Sequence, residues 1–508
     1  MRPTDESFNV TAVLSDGSPL PVSELADAMV VDLESMPAFE HKPEIAAGKA
    51  TLPAPDGPFA VCMPLPVAGF GHVVVCADNG GEGYKPAEVR GKTMNFCLEA
   101  ASSRVAAVTR AEAGFRESGT QFSTDYGARI SEAQTFLEDA LKKRSDETAC
   151  AKLAMSSLGE SLHAGEMLVV EHAQSRIAAS PARTGFRLGC NGFRYPELGE
   201  KYATLFGDLL NFATLPFYRA RTEEREGERD FSRAEKILEW TTRDGIEPKG
   251  HPLVWFHEAG IPAWLKGRSY EQVQAAHRDY VLDAVGRFRD RIKMWDVINE
   301  AHDWANDFDY TPDQLVEMTR LAADATREAD PNAFRIVNCC WTWSEYVAHG
   351  RNYSRTIGRP ACSVLQYLRN LMDAGVDFEA IGLQMYYPQR DLFEIDRQLD
   401  RFCRFGKPVH MTELGVSSST RPVDHLEIAR VHFVRQWHGP WSESEQADWL
   451  EAFSTLCYSK PSVEAMTWWD FCDPAFIPHS GLVDEDLRPK EAYHRLHRLT
   501  RAWRSHGQ

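Results

Sequence analysis

Residues 292–341 read IKMWDVINEAHDWANDFDYTPDQLVEMTRLAADATREADPNAFRIVNCCW. The segment begins and ends with continuous apolar runs, at 292–300 and 334–341, which are typical of strands buried on both faces of a parallel sheet. Between them, residues 311–330 carry apolar side chains at helical spacing and close on Asp-Pro, a common helix end. The segment is therefore predicted to form a strand–helix–strand unit of an α/β fold.

The same alternation continues through the whole second part of the chain. Amphipathic stretches lie between eight apolar segments: FRLGCNG (186–192), DLLNFATLPF (208–217), EPKGHPLVW (247–255), IKMWDVINE (292–300), FRIVNCCW (334–341), FEAIGLQMYY (378–387), KPVHMTELGV (407–416) and AMTWWDFCD (465–473). Eight strand–helix pairs over this length predict a closed (β/α)8 barrel, the TIM barrel. A doubly wound sheet is the alternative, but the sequence has no phosphate-binding glycine loop that would favour it.

The first 180 residues have a different texture. Short apolar runs separated by Gly, Pro and Asp clusters predict β structure up to about residue 77, and the proline-free stretch 97–178 predicts helices. We therefore divide the chain into a β-sandwich-like domain at 1–110, a helical connector at 111–180 and a barrel domain at 181–508.

The β-sandwich-like domain is a candidate carbohydrate-binding module, since enzymes that act on polymers gain affinity by tethering. Its candidate features are the loop ADNGGEGY at 77–84 and Asn95. A domain that only packs on the barrel is an alternative of at least equal weight.

Charge and composition limit the possible partners. The chain has 56 Lys and Arg against 74 Asp and Glu, a formal net charge of −18, which would repel nucleic acid and anionic membranes but suits a neutral sugar. No apolar run approaches the 18 residues of a membrane span. The sequence does not indicate the oligomeric state.

The N-terminus lacks the basic and apolar regions of an export signal. Eleven cysteines stand at apolar positions, without CxxC pairs or histidine partners at zinc spacing. We therefore expect reduced thiols in a cytoplasmic protein, with neither a metal nor an organic cofactor. Secretion is the alternative if a leader preceded this sequence.

Two glutamates stand where a barrel carries its active site, at the carboxyl ends of the strands. Glu300 ends the predicted fourth strand and Glu413 lies late in the predicted seventh, so the two can face each other across the barrel mouth. Retaining glycoside hydrolysis needs two carboxyl groups about 5–5.5 Å apart, and Asn299 is placed to bond the sugar 2-hydroxyl. The alternative for either glutamate alone is a solvated loop residue.

Five motifs, in order, resemble those of glycoside hydrolase family 10, the xylanase family, over about residues 186–500. They are GHPLVW (250–255), WDVINE (295–300), IGLQ (381–384), MTELGV (411–416) and GLVDEDLRPKEAYHRL (481–496). The resemblance implies a retaining barrel enzyme with Glu300 as general acid/base and Glu413 as nucleophile. The negative charge of Glu413 would help to keep Glu300 protonated before cleavage.

The resemblance also implies substrate contacts around the pair. His251 and Trp255 correspond to residues on the non-reducing side of the cleaved bond, and Asn299 to the residue at the 2-hydroxyl. Gln384 corresponds to a polar residue near the nucleophile and Trp469 to an aromatic floor. Ordinary packing or a satisfied core polar group is the alternative for these side chains.

The chain also departs from the family pattern. Residues 213–218, ATLPFY, replace a second-strand stretch with Glu, Asn and Lys, and Tyr386 replaces a histidine that supports the nucleophile. Phe256 and Gly415 replace a histidine and an aspartate. From the resemblance we expect xylan or xylo-oligosaccharides as the leading substrate class. The departures leave two alternatives: a clan-related enzyme acting on another β-glycan or glycoside, and a non-catalytic glycan-binding protein.

Overall fold

The computed structural model describes residues 7–37, 39–302, 305–352, 355–357, 361–422 and 436–505. Its main body is a closed barrel of eight parallel strands: Arg187–Asn191, Phe212–Pro216, Glu247–His251, Met294–Asn299, Phe334–Cys339, Ala380–Tyr386, Val409–Gly415 and Val463–Trp468. The first strand pairs with the second and with the eighth, which closes the ring. The third strand continues as Val254–Trp255, which pairs with the fourth. The predicted (β/α)8 barrel is confirmed.

One long helix follows each barrel strand: Tyr195–Leu209, Ser232–Asp244, Tyr270–Phe288, Pro312–Ala329, Val364–Asp373, Leu392–Cys403, Glu443–Ser459 and Glu491–Ser505. Local signals set several of their ends. Ser269 and Thr311 begin the third and fourth helices with complete capping boxes, and Gly245, at φ 70°, ends the second in the left-handed conformation. Short helices, Arg219–Thr222, Ala263–Leu265 and Glu345–His349, and a ribbon of Arg351–Asn352 with Arg355–Thr356 lie in the loops.

The N-terminal region is β-rich, as expected. One sheet has the strand order Glu44–Ala46, Lys49–Pro53, Ser7–Thr11, Thr93–Asn95, and the other has the order Met29–Val31, Ala60–Val67, Gly71–Ala77. Short helices lie at Val22–Leu25, Asn79–Gly81 and Pro86–Val89. Phe8 and Leu52 from the first sheet share one apolar core with Met63 and Val75 from the second.

Three helices, Phe96–Glu117, Thr124–Lys142 and Glu147–Ala179, follow these sheets and pack on one another. We call them the connector bundle. The first begins at Phe96, where the Asn95 side chain accepts a hydrogen bond from the Leu98 amide, so the boundary drawn at residue 110 falls inside a helix. Asn95 and Asp78, from the two loop features noted above, are both helix caps, and capping accounts for these two residue types without a ligand.

Buried polar contacts join the connector bundle to the barrel. The Arg104 guanidinium lies 2.6 Å from Asp391 at the start of the helix after the sixth strand, and both side chains are almost fully buried. Glu166 accepts hydrogen bonds from the Leu392 amide and from the Trp437 indole. These contacts favour the interpretation that the N-terminal region packs on the barrel. Among the described residues, no helix has both the length and the apolar character needed to cross a lipid bilayer.

Replacing Arg104 with Ala should lower the free energy of unfolding by about 3–5 kcal/mol, because Asp391 would stay buried without its cation. The matched control is Arg233→Ala, which removes an ion pair between Arg233 and Glu197. Both of these side chains are about half exposed, so the substitution should lower the free energy of unfolding by less than about 1 kcal/mol. Urea denaturation followed by circular dichroism measures both. Equal effects in the two variants would contradict this account of the interface.

Candidate active site

Glu300 and Glu413 lie at the carboxyl ends of the fourth and seventh barrel strands. Their side chains meet in one buried polar cluster. Glu413 is the fifth residue of the strand Val409–Gly415, and Glu300 directly follows the strand Met294–Asn299. Glu300 has a φ of 50°, a conformation that costs a non-glycine residue about 1–3 kcal/mol and is concentrated at functional sites. The two side chains are buried, with relative exposures of 8% and 5%.

The Gln384 amide lies between the two carboxyl groups. Its Nε2 donates to Glu300 Oε1 at 2.8 Å and to Glu413 Oε1 at 2.8 Å. The two oxygens therefore cannot be farther apart than twice that distance. This fits the roughly 5–5.5 Å between the carboxyl groups of retaining glycosidases and is shorter than the roughly 6.5–9.5 Å of inverting enzymes.

The two carboxyl groups differ in how many donors they receive. Glu413 accepts hydrogen bonds from Asn338 Nδ2 at 3.1 Å, from Gln384 and from the Tyr386 hydroxyl at 2.6 Å. Glu300 accepts from Gln384, and interactions with the Asn299 and Trp255 side chains also lower its pKa. Donors favour the charged form of a carboxyl group, and the short bond from the Tyr386 hydroxyl, which only Glu413 receives, favours ionisation of Glu413.

Burial raises the pKa of both glutamates, and the charge of Glu300 further raises the pKa of Glu413. Each carboxylate disfavours ionisation of the other, so the pair retains one proton to a higher pH than isolated glutamates would. The donors that Glu413 alone receives, from Asn338 and Tyr386, favour its ionised form and oppose the effect of burial. The cluster thus holds one carboxylic acid and one carboxylate side by side.

A buried ion pair positions His251. Asp296 lies 2.7 Å from Lys249 Nζ and 2.7 Å from His251 Nδ1, and all three side chains are at most 2% exposed. Burial alone would raise the pKa of Asp296, but Lys249 and His251 lower it, whereas burial lowers the pKa of His251. A neutral His251 therefore donates its Nδ1 hydrogen to Asp296. Its Nε2, 3.8 Å from Glu413 Oε1, is left to accept a hydrogen bond from a ligand hydroxyl.

Aromatic rings surround this polar cluster on the side of the first three strands. His251 packs edge-on against Trp469 and against Tyr218, and Tyr218 also contacts Trp255, with ring centroids 5.2, 5.6 and 6.0 Å apart. Phe193 packs edge-on against both Tyr218 and Trp469. The rings of Phe193, Tyr218, Trp255 and Trp469 are called the aromatic wall below.

The structure brings together all eight residues named from the sequence: His251, Trp255, Asn299, Glu300, Gln384, Tyr386, Glu413 and Trp469. Tyr386, which stands where a histidine was expected, bonds the Glu413 carboxylate directly. Phe256, in contrast, points into the apolar core, where it packs against Phe308 and Tyr310. The chemical role of each site residue stays a prediction.

Sequence reasoning missed four residues of the site: Asn338, Thr412, Tyr218 and Asp470. Asn338 donates to both Asn299 Oδ1 and Glu413, and the Thr412 hydroxyl, by donating to Asn338 Oδ1, holds its amide in this orientation. Tyr218 belongs to the segment ATLPFY at 213–218, which was interpreted from the sequence only as lacking the family's polar Glu, Asn and Lys. Asp470, which is partly buried, follows the eighth strand, and desolvation raises its pKa to about 6. The available signal for these four residues was a polar group at or near the carboxyl end of a strand.

Comparison with known proteins adds independent information. Residues 219–498 match the family model described as Glycosyl hydrolase family 10. The chain is 26% identical over 337 residues to Endo-1,4-beta-xylanase B of Thermotoga neapolitana, covering 62% of this chain and 87% of that protein. It is 25% identical over 301 residues to Endo-1,4-beta-xylanase B of Paenibacillus barcinonensis, covering 54% and 82%.

Solved structures match over a similar region. Xylanase 10B from Thermotoga petrophila RKU-1 in complex with xylobiose superposes with a TM-score of 0.49 at 22% identity, covering 65% of this chain and 96% of that one. Native xylanase 10B from Thermotoga maritima gives a TM-score of 0.48 at 23% identity, covering 65% and 98%.

The hydrogen bond from Tyr386 to Glu413 predicts a shift in pH dependence. Tyr386→Phe removes a donor from the carboxylate and should raise the pKa of Glu413. Because Glu413 must be ionised to attack, the acid limb of kcat/KM on an aryl glycoside should move to higher pH, so that activity is lost earlier as the pH falls.

The matched control is Tyr218→Phe, which removes the hydroxyl of a second tyrosine in the site. The ring of residue 218, which packs on His251 and Trp255, is kept. We expect its acid limb to coincide with that of the unchanged protein. An acid limb of Tyr386→Phe that stays in place, or moves to lower pH, would contradict the assignment of this hydrogen bond.

Proposed function

The chain belongs to glycosyl hydrolase family 10, and on that premise we propose that it hydrolyses the β-1,4 bonds of xylan or xylo-oligosaccharides. The family model spans more than half of the chain and includes both Glu300 and Glu413. Membership makes the protein a retaining glycoside hydrolase. The observation that carries the assignment of its active site is the pair of carboxyl groups bridged by Gln384.

The proposed reaction has two displacements. In the first, a Glu413 oxygen attacks the anomeric carbon while Glu300 gives its proton to the glycosidic oxygen, which leaves as an alcohol. In the second, the Glu300 carboxylate takes a proton from water as the water oxygen attacks the same carbon and releases Glu413. Two inversions restore the original anomeric configuration.

The electrostatics of the pair support this exchange of roles. While Glu413 is ionised, its charge opposes ionisation of Glu300, and the proton stays on Glu300. Once Glu413 is esterified by the sugar, that charge is gone and the pKa of Glu300 falls. Glu300 is then an acid in the first step and a base in the second.

The proposed substrate is argued from the relatives and from the polar groups at the site. The relatives with the named sequence matches are endo-1,4-beta-xylanases. Asn299 and the Nε2 of His251 offer hydrogen-bonding groups to a sugar beside Glu413, and a net charge of −18 favours a neutral glycan.

The aromatic wall favours a second candidate within the same chemistry. Tyr218 places a ring at the end of the second strand, where polar side chains were expected to hold a further sugar, and Phe193 packs beside it after the first strand. A wall of this kind suits stacking on one sugar face and supplies few hydrogen bonds to a long chain. A β-glycosidase that acts on short oligosaccharides or aryl glycosides is therefore the second candidate.

The substrate proposal predicts the following activity pattern. The protein should release reducing sugar from xylan or xylotetraose, and the product should form first as the β-anomer in NMR spectra recorded during turnover. Activity on aryl β-glycosides and short oligosaccharides but not on xylan would select the second candidate. Binding of xylo-oligosaccharides without any turnover would refute both enzymatic proposals.

The role assignment predicts opposite behaviour of two alanine variants. Glu413→Ala should lose turnover on all substrates, whereas Glu300→Ala should lose about 10²–10⁴-fold on poor leaving groups and keep the first step on activated aryl glycosides. Azide should rescue the two variants to glycosyl azides of opposite anomeric configuration.

A suitable control is Glu247→Ala, which removes a carboxylate from the amino end of the third strand, at the opposite end of the barrel. Its steady-state kinetics should match those of the unchanged protein. Equal loss on every substrate in both active-site variants, without rescue by azide, would contradict the assigned roles.

A further inference from the structure

A second cluster of ionisable side chains lies where the connector bundle meets the loop after the seventh barrel strand. His163 and Glu166 are three residues apart on the helix Glu147–Ala179, so they share one face of it, and His438 approaches from the loop. One ligating atom from each lies within 4.8 Å of the others. We propose that His163, Glu166 and His438 form a binding site for a divalent transition metal, with Zn²⁺ as the best fit.

The donor types select the class of metal. Two imidazole nitrogens and one carboxylate oxygen form a set that suits Zn²⁺, whereas Ca²⁺ and Mg²⁺ prefer oxygen ligands throughout. Three protein ligands leave one tetrahedral position for water. Small side-chain rotations would bring the three atoms to about 2.0–2.1 Å from a common centre.

The surrounding hydrogen bonds leave one ligating atom available on His163 and one on Glu166. His163 Nε2 lies 3.0 Å from the Gly69 carbonyl oxygen, so it carries the hydrogen and Nδ1 keeps a free lone pair. Glu166 Oε1 accepts from Trp437 Nε1 at 2.9 Å and from the Leu392 amide at 3.0 Å, which leaves Oε2 for the metal. A backbone carbonyl on the histidine and donors on the carboxylate are the usual outer partners of metal ligands.

An ion pair between His438 and Glu166 accounts for only two of the three residues. His438 Nε2 lies 2.6 Å from Glu166 Oε2, and Glu166 raises the pKa of His438 against the effect of burial. The second imidazole, His163, has its ring centroid 4.9 Å from that of His438 but forms no ion pair with Glu166 among the described residues, and burial together with the charge of His438 lowers the pKa of His163. Zn²⁺ would displace the proton shared by His438 and Glu166, and its charge would make both imidazoles favourable neighbours.

The position of the cluster allows an ion to enter and gives it a structural effect. Glu166 is buried, while His163 and His438 are partly exposed, and the Phe70 ring packs edge-on against both imidazoles at 5.0 Å. A bound ion would connect the N-terminal region to the loop that follows the strand of Glu413. Since the three ligands converge only in the folded chain, binding would stabilise the folded state.

The test is a titration of the full chain, dialysed first against EDTA and then against buffer, with ZnCl₂ in a calorimeter. We expect saturation at one Zn²⁺ per chain and a higher melting temperature with Zn²⁺ than without it. His163→Ala and His163→Gln should each lower the Zn²⁺ affinity by at least about tenfold. His163→Gln keeps the pair of Glu166 with His438, so its fold should be retained, which circular dichroism in EDTA verifies.

The matched control is His494→Ala, which removes an exposed histidine from the last barrel helix and should leave the titration unchanged. Replacement of Zn²⁺ by Co²⁺ should give a visible tetrahedral absorption band that is lost in both His163 variants. Absence of saturable binding, or equal binding by the His163 variants and the unchanged chain, would overturn the proposal. Because metal binding is measured directly, these outcomes do not depend on whether the chain cleaves xylan.

Discussion

Two buried carboxyl groups held by one amide nitrogen are the constraint on which the site depends. Two negative charges this close and this deep would repel each other, so one group keeps a proton while the other gathers donors. Gln384 comes from the sixth strand, Asn338 from the fifth and Tyr386 from the end of the sixth. A closed barrel is what brings donors from these two neighbouring strands to carboxyl groups at the ends of the fourth and seventh strands.

The N-terminal region bears on this site through the loops that it holds. The amide of Val74, in the strand Gly71–Ala77, donates to Gln389 in the loop after the sixth strand, and the His72 amide donates to Gln436 beyond the seventh. Arg104 holds Asp391 next to the first of these loops. The strands of Gln384 and Glu413 therefore lead into segments anchored from outside the barrel, so the first 180 residues support the site without contributing a side chain to the catalytic pair.

The sequence predicts a site residue well when its place at the end of a strand brings it to the site. It predicts a site residue less well when its contacts depend on the pairing register between two strands. The apolar strands and their amphipathic partners identify the barrel, and its carboxyl ends identify Glu300 and Glu413. Asn338 also stands near the carboxyl end of a strand, but its hydrogen bonds depend on how the fifth strand pairs with its neighbours, which the pattern of one strand does not show. The sixth and seventh strands shift register between Leu383 and Gln384, and no one-strand pattern contains that shift. The helix that begins at Phe96 agrees with the helical stretch predicted from residue 97, although the domain boundary at residue 110 falls within that helix.

The departures from the family pattern differ in their physical effect. At the sixth strand, Tyr386 still donates to the Glu413 carboxylate, and Gly415 gives its ring room, since a Cβ at residue 415 would lie 3.3 Å from Tyr386 Cδ1. The space beside Gly415 and the hydroxyl of Tyr386 thus both concern the same ring, which supplies a donor to the Glu413 carboxylate. At the second strand, Tyr218 adds a ring that packs on His251 and Trp255, where polar groups were expected to grip a sugar. A hydrogen-bond donor to Glu413 is thus present although its residue type differs from the family pattern, whereas the surface at the second strand is aromatic where polar groups were expected. The two departures therefore act on different properties of the site: the first on the charge of a carboxyl group, the second on the surface that a ligand would contact.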